Sequence, residues 1–85
     1  MSNNINVQDH LVALGSLKAG ECALIDSYLG DVDMHHRLRE MGLVKGTRVK
    51  VNRFAPLGDP MELLVRGYRL SIRKIDAMQI MVSKA

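Results

Sequence analysis

Three stretches of this chain alternate between apolar and polar residues, and one carries apolar residues at helical spacing. Thr47, Val49 and Val51 alternate with Arg48, Lys50 and Asn52, the period-two pattern of a strand with one face buried and one solvated. Past Asn52 the alternation slips, because Arg53 would turn inward and Phe54 outward; a bulge or the end of the strand repairs it. Met61, Leu63 and Val65 alternate with Glu62 and Arg66, and Leu70 and Ile72 with Arg69, Ser71 and Arg73; Gly67 between them marks a tight hairpin. The run from Cys22 to Leu29 is apolar almost without break up to Ile25 and reads as a strand with Ala23 and Ile25 inward. A last apolar stretch, Met78 to Val82, can return to pair with it.

Met34, Leu38 and Met41 recur at i, i+4 and i+7, which predicts a short helix over 34–41. Asp31 and Asp33 offer side-chain oxygens to its start, Gly42 supplies the left-handed residue that ends it, and Leu43 just beyond can fold back onto the apolar stripe. Leu43-Val44-Lys45-Gly46 echoes Leu17-Lys18-Ala19-Gly20, so each opens a strand through a similar turn. The segment Ala55-Pro56-Leu57-Gly58-Asp59-Pro60 is a stiff loop, since two prolines and a glycine in six residues remove donors and fix the chain.

About five short strands joined by tight turns, with one short helix, make a mainly β chain that closes or nearly closes into a small barrel. Eighty-five residues make one domain, because a chain this short buries only about 60–65% of the surface it exposes when unfolded. Residues 1–10 read as a polar, disordered lead and 11–85 as the domain. With one phenylalanine, two tyrosines and no tryptophan, the core must be built from Val, Leu, Ile and the six methionines. Cys22 has no partner for an internal disulfide, and the lead lacks the basic start and apolar run of a secretory signal; a reducing, cytoplasmic setting fits both.

Net charge is +3, unevenly placed. From Arg37 to Lys74 ten basic residues face three acidic ones, whereas the first thirty-six residues hold Lys18 against five acidic residues. A basic face of this kind meets an acidic protein surface, a nucleic acid, or only water.

Catalytic and nucleotide-binding equipment is not recognisable. The seven glycines stand singly, without the loop that cradles phosphates, and Cys22 and the serines lack a base at recognisable spacing. A strand position among apolar neighbours makes Cys22 a buried, inert thiol. Asp31, Asp33, His35, His36 and Glu40 form the best metal candidate, since His36 and Glu40 are four apart on one helix face. His35 and His36, however, point about 100° apart on a regular helix, and a solvated helix surface accounts for the cluster. Nucleic-acid binding through the basic face stays open, although single-strand readers add aromatic platforms that this chain scarcely has.

Arg37-Leu38-Arg39-Glu40-Met41-Gly42-Leu43 with Gly46 three beyond, the Ala55–Pro60 loop, and Gly67-Tyr68-Arg69-Leu70-Ser71-Ile72-Arg73 together resemble the FeoA family in order and spacing, from about Leu14 to Val82. The resemblance implies an SH3-like barrel, not an enzyme and without a cofactor, that accompanies the membrane ferrous-iron transporter FeoB in the bacterial cytoplasm as an accessory or regulatory protein. A related barrel ends some metal-dependent repressors; the short lead here favours the stand-alone form. Alternatives of other classes are a small basic barrel that binds nucleic acid and a divalent-metal carrier or sensor.

On the FeoB-partner expectation, the contact surface combines the helix with its Gly42-Leu43 end and the 56–60 loop, both excursions from the barrel. Arg37, Arg39, Leu43 and Leu57 are the first candidates, with Leu38 and Met41 either joining them or serving as core. A homo-oligomer is left open by the unpaired strand edges of so small a barrel.

Overall fold

The structure, a computed structural model, describes residues 10–85. The lead expected over residues 1–10 lies outside the described residues, apart from an exposed His10. Six strands, β1 (Leu11–Ala13), β2 (Cys22–Tyr28), β3 (Arg48–Phe54), β4 (Met61–Val65), β5 (Tyr68–Ile72) and β6 (Ile80–Lys84), form one antiparallel sheet in the order β1-β6-β2-β3-β4-β5. A 3-10 turn, Leu14–Ser16, follows β1; helix α1 (Val32–Glu40) separates β2 from β3, and a single helical turn, α2 (Lys74–Ala77), separates β5 from β6.

Alternation sets the faces. Ala23, Ile25, Val49, Val51, Met61, Leu63, Val65, Ile80 and Val82 all point into one core, closed by Leu14, Leu17, Leu38, Leu43, Ile72 and Ala77 from the turns, helices and β5. The slip expected near Asn52 is a bulge, since the β3–β4 register shifts between Val51 and Arg53. A second bulge, in the β2–β6 register between Ile25 and Ser27, bends β2. Such bulges curl a sheet. The edge strands β1 and β5 share no ladder; α2, reached directly from β5, packs on the 3-10 turn after β1 and spans the seam.

Strand β1 is the element the pattern did not isolate, because three residues are too few to show a period. It adds a sixth strand to the mainly β architecture. Likewise α2 is one turn long and carries a single buried side chain, Ala77. The last strand starts two residues later than the apolar stretch suggests, because Met78 caps α2. Cys22 is only partly buried, against the expectation of a sealed thiol, because it starts β2 on the outward side. Thr47 is buried just before β3, where its carbonyl accepts from the Ile25 amide at 3.0 Å.

The β4–β5 hairpin turns through Arg66 (φ 50°) and Gly67 (φ 86°). Two successive positive φ values match the twist of a two-residue hairpin, and glycine supplies the second at no steric cost. In the 55–60 loop, the Ala55 amide donates to the Pro60 carbonyl at 2.9 Å and the Gly58 amide to the Ala55 carbonyl at 2.7 Å.

Leu63 and Leu64 are neighbours with opposite fates, 0% and 37% exposed. Leu63→Ala is expected to cost about 2–5 kcal/mol. Leu64→Ala is expected to cost under about 1 kcal/mol. Urea titrations of the two variants check the register, and equal losses would contradict it.

Candidate partner-binding site

Helix α1 owes its position to its two ends. Asp31 caps the start, its Oδ1 accepting from the Met34 amide at 2.9 Å, so the helix begins two residues before the apolar stripe. At the far end Gly42 adopts φ 86°. The Leu43 amide donates to the Leu38 carbonyl and the Gly42 amide to the Arg39 carbonyl, both at 3.0 Å, which is a Schellman cap. Leu43 then enters the core beside Leu38.

Two tyrosines hold this end against the sheet. The Tyr28 hydroxyl donates to the Leu43 carbonyl, and the Tyr68 hydroxyl to the Met41 carbonyl. Carbonyls at a helix end have no partner within the helix, so these hydroxyls satisfy groups that the cap leaves open. A side chain at Gly42 would bring a Cβ to 3.0 Å from the Tyr68 hydroxyl. The Tyr28 ring also lies 5.1 Å from the His35 ring at a 45° tilt. Burial pushes the Tyr28 phenol above its ordinary 10.0, while the Arg39 charge pulls weakly the other way.

Between α1 and the end of β5 lies an open groove of about 400 Å³. Met34, Arg37, Leu38 and Met41 form its helical wall, and Ile72 and Arg73 part of the opposite one. Glu40 and Asp76 add carboxylates, so the groove has apolar sides with charge of both signs. Arg73 also lines a second depression, formed with Asp59, Pro60 and Ile75, that leads to the 55–60 loop. Asp59 anchors the loop there by accepting from the Lys74 amide at 2.9 Å, at the start of α2. The Lys74 ammonium sits 5.6 Å above the Phe54 ring. Leu57, in the same loop, is 96% exposed.

The structure thus brings Arg37, Leu38 and Met41 together in one groove and joins them through Arg73 to the neighbourhood of Leu57. It separates two of the expected residues. Arg39 is exposed but is not among the groove's lining, two residues round the helix from Arg37. Leu43 is 0% exposed, because the residue after a Schellman glycine folds inward; the expectation of direct contact there is corrected.

The metal candidates do not converge. His35 turns toward Tyr28, with its Nε2 buried and unpartnered, while Asp33, His36 and Glu40 are exposed. Among the described residues no three His, Cys, Asp or Glu side chains gather in a group able to hold a metal ion. Sequence spacing alone missed the opposite wall, Ile72, Arg73 and Asp76, and the two tyrosine clasps. They lie more than ten residues from their partners, and only folding brings them near.

A model of the FeoA domain matches residues 12–84. The chain belongs to the FeoA family. It is 36% identical over 69 residues, 81% of its length, to a Porphyromonas gingivalis protein described as a fusion of Fe(2+) transport protein A with the Fe(2+) transporter FeoB. The chain spans 8% of the length of that relative. A FeoA protein from Chlorobium tepidum shares 41% identity and superposes with a TM-score of 0.79 over 86% of this chain and 70% of that one. A Stenotrophomonas maltophilia FeoA complexed with zinc shares 28% identity with a TM-score of 0.71, covering 82% and 87% of the two chains. That protein is described as a prokaryotic SH3 domain and as a candidate activating factor of ferrous iron transport. The mainly β, SH3-like architecture expected from the sequence is therefore the family's own, and FeoA proteins are small accessory domains linked to ferrous iron transport. Among the described residues no helix is long and apolar enough to cross a membrane.

Because burial favours the neutral Tyr28 phenol in the fold, its stabilising contribution is full below pH 10 and is lost as pH rises through the elevated folded value. Tyr28→Phe removes both that titration and the bond to the Leu43 carbonyl. The variant is expected to be about 1 kcal/mol less stable at neutral pH. The gap should narrow above pH 10, as measured by urea unfolding at both pH values.

Proposed function

We propose that this chain is a non-enzymatic accessory protein of bacterial ferrous iron uptake that binds the cytoplasmic side of a FeoB-type transporter through the α1 groove and the adjoining 55–60 loop. The observation that supports it most is the fusion in Porphyromonas gingivalis, where a homologous segment and the transporter share one polypeptide. Fusion keeps two functional partners at high effective concentration, so separate chains of the same family are expected to associate.

Physical support comes from the groove itself. Its apolar sides include two methionines, Met34 and Met41, whose flexible thioethers adapt to a partner surface. Arg37 and Arg73 offer fixed cations on opposite walls. Arg39 and Leu57 widen the contact as exposed flanking residues, Leu38 and Met41 line it, and Leu43 acts only by holding the helix end in the core. The described residues suit recognition better than catalysis, since function of this kind resides in a surface rather than in a reacting cluster.

Arg37→Glu is expected to weaken association with the transporter's cytoplasmic portion by about tenfold. Met41→Asp should do at least as much, and both variants should keep the parent's circular dichroism. Calorimetric titration of the purified partners measures this. Unchanged affinity in both variants would remove the groove from the interface.

A further inference from the structure

The outer face of the central strands carries a charge distribution that the groove does not use. Cross-strand register places Cys22, Lys50, Leu64 and Arg69 in one row over β2, β3, β4 and β5. Leu24 and Arg48 form the next row, with Arg66 at the hairpin turn beside it. Same-face neighbours in such rows stand about 5 Å apart. Opposite Lys50, where a sheet normally sets an acid against a base, stand a thiol and a leucine. None of Arg48, Lys50, Arg66 and Arg69 has an ion pair among the described residues, and the Arg66 guanidinium only donates to the Thr47 hydroxyl at 3.4 Å. Glu62, on the same face of β4, is already taken by Arg53 at 3.5 Å and by the Asn52 amide at 2.7 Å. A shallow depression of about 440 Å³ between Lys50, Arg48 and Arg66 has Cys22 and Leu64 in its lining. Leu64 lies between Lys50 and Arg69 and Leu24 beside Arg48, and they remain 37% and 40% exposed.

We infer that this face docks on an anionic lipid bilayer, with Arg48, Lys50, Arg66 and Arg69 at the headgroup phosphates and Leu24 and Leu64 against the interface. Four clustered cations without an ion-pair partner suit a polyanion, and the choice among polyanions follows from the side chains beside them. Single-stranded nucleic acid is held by base stacking on aromatic rings, and these rows contain none. Duplex DNA is read by a helix or ribbon that enters a groove, whereas this is the broad face of a sheet. A bilayer asks for cations at phosphate depth and aliphatic side chains beside them, which is the composition of these rows. The face shares no residue with the α1 groove, so a chain seated on the membrane keeps the groove open to a membrane-embedded partner. The orientation gains its purpose from the proposed transporter contact, while the lipid contact itself stands on the strand register alone.

Co-sedimentation with vesicles that contain no transporter tests it. The purified chain should sediment with an equimolar phosphatidylglycerol–phosphatidylcholine mixture, not with phosphatidylcholine alone, and should release as salt rises. Neutralising each cation should lower the partition coefficient about fivefold. The Lys50→Gln, Arg69→Gln pair should thus lose about twenty-five-fold. Arg37→Glu should sediment like the parent, which separates this face from the groove. The substituted side chains are exposed, and circular dichroism verifies the fold of each variant. Failure to sediment with anionic vesicles at low salt, or equal sedimentation of parent and double variant, overturns the inference without touching the groove. Tighter binding to duplex DNA or to RNA than to the vesicles, abolished by the same pair, overturns it in favour of a nucleic acid.

Discussion

The end of α1 is the joint on which the surface features of this protein depend. Gly42 turns the backbone left-handed, Leu43 drops into the core, and the carbonyls on either side of the glycine accept from Tyr28 and Tyr68. One tyrosine comes from β2 and the other from the start of β5, so the helix end is tied to two strands that are not neighbours in the sheet. A nine-residue helix is too short to be stable alone in water, and this one is mostly polar. Its order comes from Leu38 and Leu43 in the core and from these two clasps. If the joint slackened, the helical wall of the groove would lose its position before the barrel lost its strands.

That joint positions one of two surfaces with separate chemistry, and strand register sets the other. The groove between α1 and β5 is apolar at its sides and balanced in charge, with Arg37 and Arg73 against Glu40 and Asp76. The outer face of β2, β3 and β4 is cationic and interrupted by leucines. The basic excess between Arg37 and Lys74 therefore divides. Arg37 and Arg73 border the groove, while Arg48, Lys50, Arg53 and Arg69 stand on the sheet, where strand alternation leaves every second residue to solvent.

Family membership links the chain to ferrous iron transport, and the physical reading finds its prominent features on the surface. One relative carries a homologous segment within a transporter polypeptide. The small, aromatic-poor core supports that surface, since Val, Leu and Ile on alternate strand positions build a rigid scaffold from few residues.

Much of this was legible in the order of residues, because period and turn chemistry are local. Val49 and Val51, Leu63 and Val65 announced their strands and their inward face; the bulge after Val51 followed from the broken alternation; Asp31, Gly42 and Leu43 announced the ends of α1. The FeoA resemblance was carried by the same local runs. Tertiary structure alone decided that Leu43 is core rather than contact, that three residues after His10 form a strand, and that Cys22 is half open. It alone set Arg73 across from Arg37, thirty-six positions away in the chain, and lined Lys50 up with Leu64 and Arg69. Hydrophobic period fixes which way a side chain points, but which distant side chain it meets depends on strand register and on closure of the sheet, and those are properties of the packed whole.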